Sequence, residues 1–528
     1  MPSLYGGEPM RPSSRREFLA DVGRGMLIAG LGPALAADLG LAQAEAAEGG
    51  EGRLNFGSLE PLVALMQETP LNRLLPALVE KHQAGTNLRT LTAAAALANA
   101  RTFGGHDYIG FHTIMALVPA YEMARRMPAD RRPLPVLKVL YRNTGRIQEF
   151  GGVNKEVLHP VEAGDLPSGR DGGALLQQAT RKADLDGAER TFAALAKGQP
   201  AGEAFNHLQY AVQDEVDVHR VVLAWRSWAL LDLTGQEQAH TLLRQSVRYA
   251  VRTEQYLVEK KRQPPEIRAV LPKLLDQYKL VSRPLGQRQA DDAWVEHLSM
   301  TIYGSEPVQA AEAAAAALAE GMAPDAVAEA MVLAANRLVL CDQGRPKEWA
   351  QAGKPVGSCH GDSVGVHASD AANAWRNIAR VSNPRNVVAS LIVGAYHTAG
   401  QLYHQNKEPY PLPEHLEKVK AKDATGLLKE AEGAIRDKDQ FHAGAVVQRY
   451  GEFGHDPRPV FDLLLRYAVS EEGALHAEKY YQTVSEEFRF LRPAFRWREL
   501  TSLARVTTSE YGYPARGYAE ACNLLGVS

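Results

Sequence analysis

The chain has 528 residues, with 59 Lys and Arg against 62 Asp and Glu and a formal net charge of -3. That balance, with a pI near 6.6, lacks the basic footprint of a nucleic-acid binder. Its three cysteines, Cys341, Cys359 and Cys522, form no Cys-x-x-Cys pair and no Cys-x-x-Cys-His, which excludes a thiolate zinc site and covalently attached c-type haem.

At the N-terminus, Ser13-Ser14-Arg15-Arg16-Glu17-Phe18-Leu19 resembles a twin-arginine export signal, which carries folded proteins across the membrane. Residues 25–37 (GMLIAGLGPALAA) are apolar but too short and too rich in Gly and Ala for a stable span. Ala42-Gln43-Ala44 offers a small-x-small cleavage site, followed by an acidic, Gly-rich stretch. The reading is a signal peptide over 1–44 and a linker over 45–55. The implied partner is the twin-arginine export machinery, and the implied location is the periplasm or cell envelope. No later run approaches about 20 apolar residues, so no stable membrane span is expected after cleavage. Cys341 and Cys359 then read either as one disulfide in an oxidising compartment or as buried thiols.

Past the linker the pattern is helical. Residues 91–100 (LTAAAALANA), 308–321 (VQAAEAAAAALAEG) and 325–340 (DAVAEAMVLAANRLVL) are dense in the strongest helix formers. In the last of these the apolar residues recur at three- and four-residue steps, and Pro324 fits a helix start. Pro and Gly clusters near 151–173, 263–272, 284–286 and 409–413 mark breaks, while alternating strand patterns are scarce. The expected class is all-α.

An internal repeat adds organisation. At an offset of 255, residues 110–145 lie over 365–400 with identities at Gly110/Gly365, His112/His367, Ala116/Ala371, Ala124/Ala379, Arg125/Arg380, Tyr141/Tyr396 and Gly145/Gly400. At an offset of 223, Ala211, Asp214 and His219 meet Ala434, Asp437 and His442. At 218, Arg248-Tyr249-Ala250-Val251 meets Arg466-Tyr467-Ala468-Val469. The expectation is two related helical units, 56–300 and 301–528 with a C-terminal tail, packed about a pseudo-two-fold axis. A substrate pocket is expected where they meet.

The matched polar residues are the candidates for chemistry. His112 and His367 open their helices, preceded by His106 and by His360 with Asp362. His219 and His442 form the second matched pair, with Glu215 four residues before His219 on a shared helical face. His397 and His404 would also share a face. The metal candidates are therefore His106, His112, His219, His360, His367 and His442. His112, His367, Tyr141 and Tyr396 are the candidate acid/base groups. Imidazole and carboxylate donors suit iron first, with copper, manganese or zinc as alternatives, and a haem held by histidine without covalent attachment is open. No His-Glu-x-x-His, Gly-x-Ser-x-Gly, P-loop or Rossmann fingerprint occurs, which argues against protease, esterase, nucleotidase and classical dehydrogenase readings.

Residues 365–376 (GVHASDAANAWR), 110–123 (GFHTIMALVPAYEM) and 471–481 (EEGALHAEKYY) resemble the histidine-bearing helices of questin oxidase-like proteins. The resemblance implies oxidative chemistry on an aromatic substrate using molecular oxygen, and points to His112, His367 and His476. The leading expectation is an exported, histidine-rich metalloprotein, an oxidoreductase or oxygenase acting on a small organic substrate. The rival is a non-catalytic envelope binding or scaffold protein with structural histidines.

Overall fold

The computed structural model describes residues 52–527, and the twin-arginine motif and cleavage site lie outside the described residues. Regular structure there is helical throughout, with only isolated bridges such as Arg288 with Met322, so the class is all-α as expected. Among the described residues no helix is long and apolar enough to cross a membrane.

In chain order the first helices are α1 (Glu60–Glu68), α2 (Leu71–Gln83), α3 (Leu88–Phe103), α4 (Tyr108–Ala124) and α5 (Pro133–Phe150). Of the three Ala- and Leu-rich segments expected to be helical, 91–100 and 325–340 lie within helices, and 308–321 runs two residues past a helix that ends at Ala319. Asn87 caps α3 by accepting the Thr90 N–H, and Gly104 ends it at φ 52°, a left-handed angle that suits a residue without Cβ. Asp107 then caps α4 through Gly110. A long connection leads to α6 (Gly172–Arg181), α7 (Leu185–Ala196), α8 (Ala201–Val212), α9 (Val218–Ala229), α10 (Leu231–Thr234), α11 (Ala239–Glu259) and α12 (Ile267–Gln277). One expected break is displaced. Pro272 sits inside α12, where its ring forfeits one backbone bond without ending the helix.

The second run is α13 (Asp292–Gly304), α14 (Pro307–Ala319), α15 (Pro324–Leu340), α16 (Val364–Val381) and α17 (Pro384–Ala399). It continues with α18 (Pro413–Glu417), α19 (Ala424–Arg436), α20 (Gln440–Glu452), α21 (Arg458–Ser470), α22 (His476–Phe490), α23 (Trp497–Glu510) and α24 (Tyr518–Leu525). Pro324 does stand at the first position of α15. His404, expected on the helix of His397, lies beyond the end of α17 at φ 48° and shares no helical face with it.

The two runs pack alike. α1 lies on α3 and α2 on α5, while α3, α4 and α5 pack on one another; α13 lies on α15 and α14 on α17, with α15, α16 and α17 in mutual contact. α9 packs on α11, and α22 on α23. The runs meet through four helices, because α4 and α16 each touch both α9 and α22. Small residues allow this approach. Ala116 and Ala120 on α4, and Ala368, Ala371 and Ala372 on α16, are buried at the heart of the core.

Candidate metal centre

One histidine from each of those four helices joins a cluster of rings, with His112, His219 and His367 grouped together and His476 beside His112 and His367. Their ring centres are 4.8 Å apart for His112 and His219, 5.0 Å for His367 and His476, 5.3 Å for His112 and His476, and 5.7 Å for His219 and His367. The distances repeat in pairs, as a two-fold relation exchanging His112 with His367 and His219 with His476 would require. The donor nitrogens of His112, His219 and His367 all lie within 4.8 Å of one another.

Local structure fixes how each ring presents itself. His112 Nδ1 lies 2.7 Å from the Tyr108 carbonyl oxygen, and His367 Nδ1 lies 3.2 Å from that of Ser363, in both cases the residue four earlier. Tyr108 and Ser363 are themselves 255 apart, the spacing of the first repeat. His476 Nδ1 lies 3.1 Å from the Ala474 carbonyl oxygen. A carbonyl can only accept, so these three Nδ1 atoms carry the proton. His219 Nδ1 lies 3.3 Å from Asp217 Oδ1, an acceptor-only carboxylate that also caps α9. The Nε2 atoms of His112, His367 and His476 therefore carry lone pairs, and those of His367 and His476 face each other.

That arrangement leaves buried ring nitrogens unpaired. His367 Nε2 and His476 Nε2 stand 3.3 Å apart, acceptor against acceptor, and the Nε2 atoms of His112 and His219 are buried with no hydrogen-bond partner. Protonation does not resolve it. Burial, reinforced by neighbouring His219 and Lys479, pulls His367 down to about 3, and burial with Lys479 holds His112 and His476 well below their ordinary value. An orphaned buried acceptor costs about 1–3 kcal/mol, and the three histidines whose ring nitrogens lie together could hold a metal ion.

The backbone before His476 is unusual. Gly473, Ala474 and Leu475 follow one another at φ 49°, 47° and 66°. Two of them carry a Cβ, which disfavours the left-handed region by about 1–2 kcal/mol each. Such strain persists where the surroundings enforce a function, and here it aims His476 and its acceptor carbonyl into the cluster.

The surroundings are polar on one side. Lys479, one turn beyond His476, is buried, and desolvation lowers its ammonium to about 8. Asp370, one turn beyond His367, accepts from the Thr483 hydroxyl at 2.8 Å. Asp362 binds Arg345 and Lys354 at 2.5 and 2.6 Å. On the other side Tyr108 and Phe111 pack their rings against His112 and His219.

The other sequence candidates stand elsewhere. His106 Nε2 faces the Arg248 carbonyl oxygen at 3.3 Å, and burial lowers this imidazole to about 3. His360 Nδ1 lies 3.2 Å from Asp362 on the segment that leads into α16. His442 Nε2 pairs with Glu430 at 2.9 Å. The Tyr396 hydroxyl reaches Glu266 at 3.4 Å, and Tyr141 lies against Gly517. Glu215 precedes α9 and shares no helical face with His219; Asp217 takes the imidazole instead. His476, which joins the cluster, lies 257 residues after His219. Arg248 and Arg505 are separated by the same 257 residues, and each binds the carbonyls ending a preceding helix: Gly104 after α3, and Val339 with Leu340 at the end of α15. An offset so near 255 was the available signal for His476. Asp217 was signalled only by its cap position.

Cys341, Cys359 and Cys522 are free thiols. A surface groove of about 610 Å³, bordered by Arg126, Lys429 and Arg458, contains none of the four histidines. Comparisons of this chain with protein-family models, with curated proteins and with solved structures give no match.

Proposed function

We propose that the protein is an exported metalloprotein in which His112, His219, His367 and His476 hold one metal ion shared by both helical runs, and that it acts as an oxidoreductase on a small organic substrate. The observation that carries the reading is the group of His112, His219 and His367, whose ring nitrogens lie within 4.8 Å of one another, with His476 Nε2 3.3 Å from His367 Nε2. All-imidazole donors suit iron, copper or zinc more than calcium or magnesium. A redox-active ion in this set would supply one-electron chemistry. The protein's own part is to hold each Nδ1 on an acceptor, to keep His112, His367 and His476 neutral by burial, and to place Lys479 and Asp370 one turn from two of the ligands.

Oxidation is favoured by the resemblance to questin oxidase-like helices, since His112, His367 and His476, the positions it indicates, are three of the four convergent residues. Export in a folded state suits a protein loaded with its metal before it leaves the cytoplasm. A second reading has its own observation. Four protein donors fill a tetrahedron, as in structural zinc sites, and this would serve the envelope scaffold.

The test is metal analysis by mass spectrometry with visible and paramagnetic spectra, on mature protein from a host with twin-arginine export. Near-stoichiometric iron or copper, lost in a His112→Ala/His367→Ala variant, supports the oxidoreductase. Stoichiometric zinc without colour supports the scaffold. A folded protein that neither carries nor takes up metal refutes both metal readings and leaves a scaffold whose histidines are structural.

A further inference from the structure

Three of the four rings give their Nδ1–H to a main-chain carbonyl, and only His219 gives it to a carboxylate. Asp217 is itself held on both oxygens. Its Oδ1 accepts the His219 backbone N–H at 3.0 Å as well as the ring, and its Oδ2 accepts the Tyr249 hydroxyl at 2.5 Å. The corresponding positions 257 residues on are Ala474 and Val506, which supply neither carboxylate nor phenol. The Tyr249–Asp217–His219 chain thus breaks the two-fold pattern of the site on one side.

Two physical arguments give the break a purpose. His219 is the ligand nearest solvent, its side chain 16 % exposed beside an Asp217 that is 26 % exposed, while the other three histidines are buried. Tyr108 and Phe111 pack against that ring, and Asp217 supplies the polar anchor for its Nδ1. Four neutral imidazoles also bring no negative charge to a cation, and a carboxylate bonded to a ligand raises that ligand's basicity and offsets part of the charge.

We propose that Asp217, fixed by Tyr249, is a positioning residue that locks His219 as a metal ligand and sets much of the affinity of the site. This rests on the metal reading above. Both Asp217 oxygens are engaged, so it acts through His219 rather than by binding the ion directly.

The test compares the mature chain with Asp217→Asn, Asp217→Glu and Tyr249→Phe variants. Asn caps a helix as well as Asp, so α9 should survive the first change. Metal-free proteins are titrated with Zn(II) against a chromophoric chelator, and Co(II) spectra are recorded. The expected result is a ten- to hundredfold weaker Zn(II) affinity in Asp217→Asn with an altered Co(II) absorption. A smaller loss is expected in Tyr249→Phe, and partial recovery in Asp217→Glu. Unchanged affinity and spectrum in Asp217→Asn, with the unaltered chain binding normally, would overturn this inference alone. Failure of the unaltered chain to bind either ion would remove the metal reading and this inference together.

Discussion

Replacing His367 by leucine should have opposite effects on stability with and without metal. In the metal-free chain, His367 Nε2 faces His476 Nε2 at 3.3 Å, and burial keeps both rings neutral. Relieving one unsatisfied buried acceptor is worth about 1–3 kcal/mol. Leucine has nearly the volume of histidine, and the Ser363 carbonyl keeps the backbone N–H of residue 367 at 3.1 Å, so no new group is orphaned. The metal-free His367→Leu variant should therefore be more stable than the parent by about 1 kcal/mol. With metal present the same change removes a ligand, and a hundredfold loss of affinity forfeits about 2.7 kcal/mol of linked stability. The assay is urea denaturation of both proteins, once with excess chelator and once with saturating Zn(II), comparing midpoints at constant slope. A loss of the same size under both conditions would show that His367 is an ordinary packed histidine and would refute the argument from opposed lone pairs.

Lys138 on α5 lies 2.6 Å from Glu478, two residues after His476, with both side chains buried. Lys138→Met should cost about 3–5 kcal/mol by stranding that carboxylate, and Lys138→Met/Glu478→Leu should recover only part of it in the same denaturation assay, because the Ala468 and Glu471 carbonyls also lose their donor. Glu510 is buried, and desolvation raises its pKa from 4.5 to about 7. A raised carboxyl contributes most stability below 4.5 and loses it as pH climbs through 7. Glu510→Gln should therefore remove a decline on the order of 3 kcal/mol between pH 4 and pH 8, read from denaturation midpoints across that range. Cys522 is partly exposed while Cys341 and Cys359 are buried, so a thiol reagent should titrate one group in the native protein and three in denaturant. Two reactive groups in denaturant fewer than expected would indicate a disulfide instead.

Helical class was legible because helix formation is local. Ala, Leu and Glu density over 91–100 and 325–340, Pro324 at a helix start, and Ser363 before the helix of His367 act within a turn or two of the chain. Two of the four ligands, His112 and His367, were visible as a matched pair at helix openings, and His219 as a member of another. His442, matched to His219 in the sequence, lies on α20 and pairs with Glu430, whereas His476 joins the cluster because α22 meets both α4 and α16. Convergence of four residues scattered from 112 to 476 is a property of helix crossings, which depend on buried small residues and ring orientation summed over the whole core. The same holds for Asp217 and Tyr249, separated by 32 residues and joined only by the crossing of α9 and α11. The chain's local chemistry thus determined which segments are helices and which histidines stand at their openings. Only the tertiary structure decided which four cluster, because burial and tautomer are collective consequences of packing.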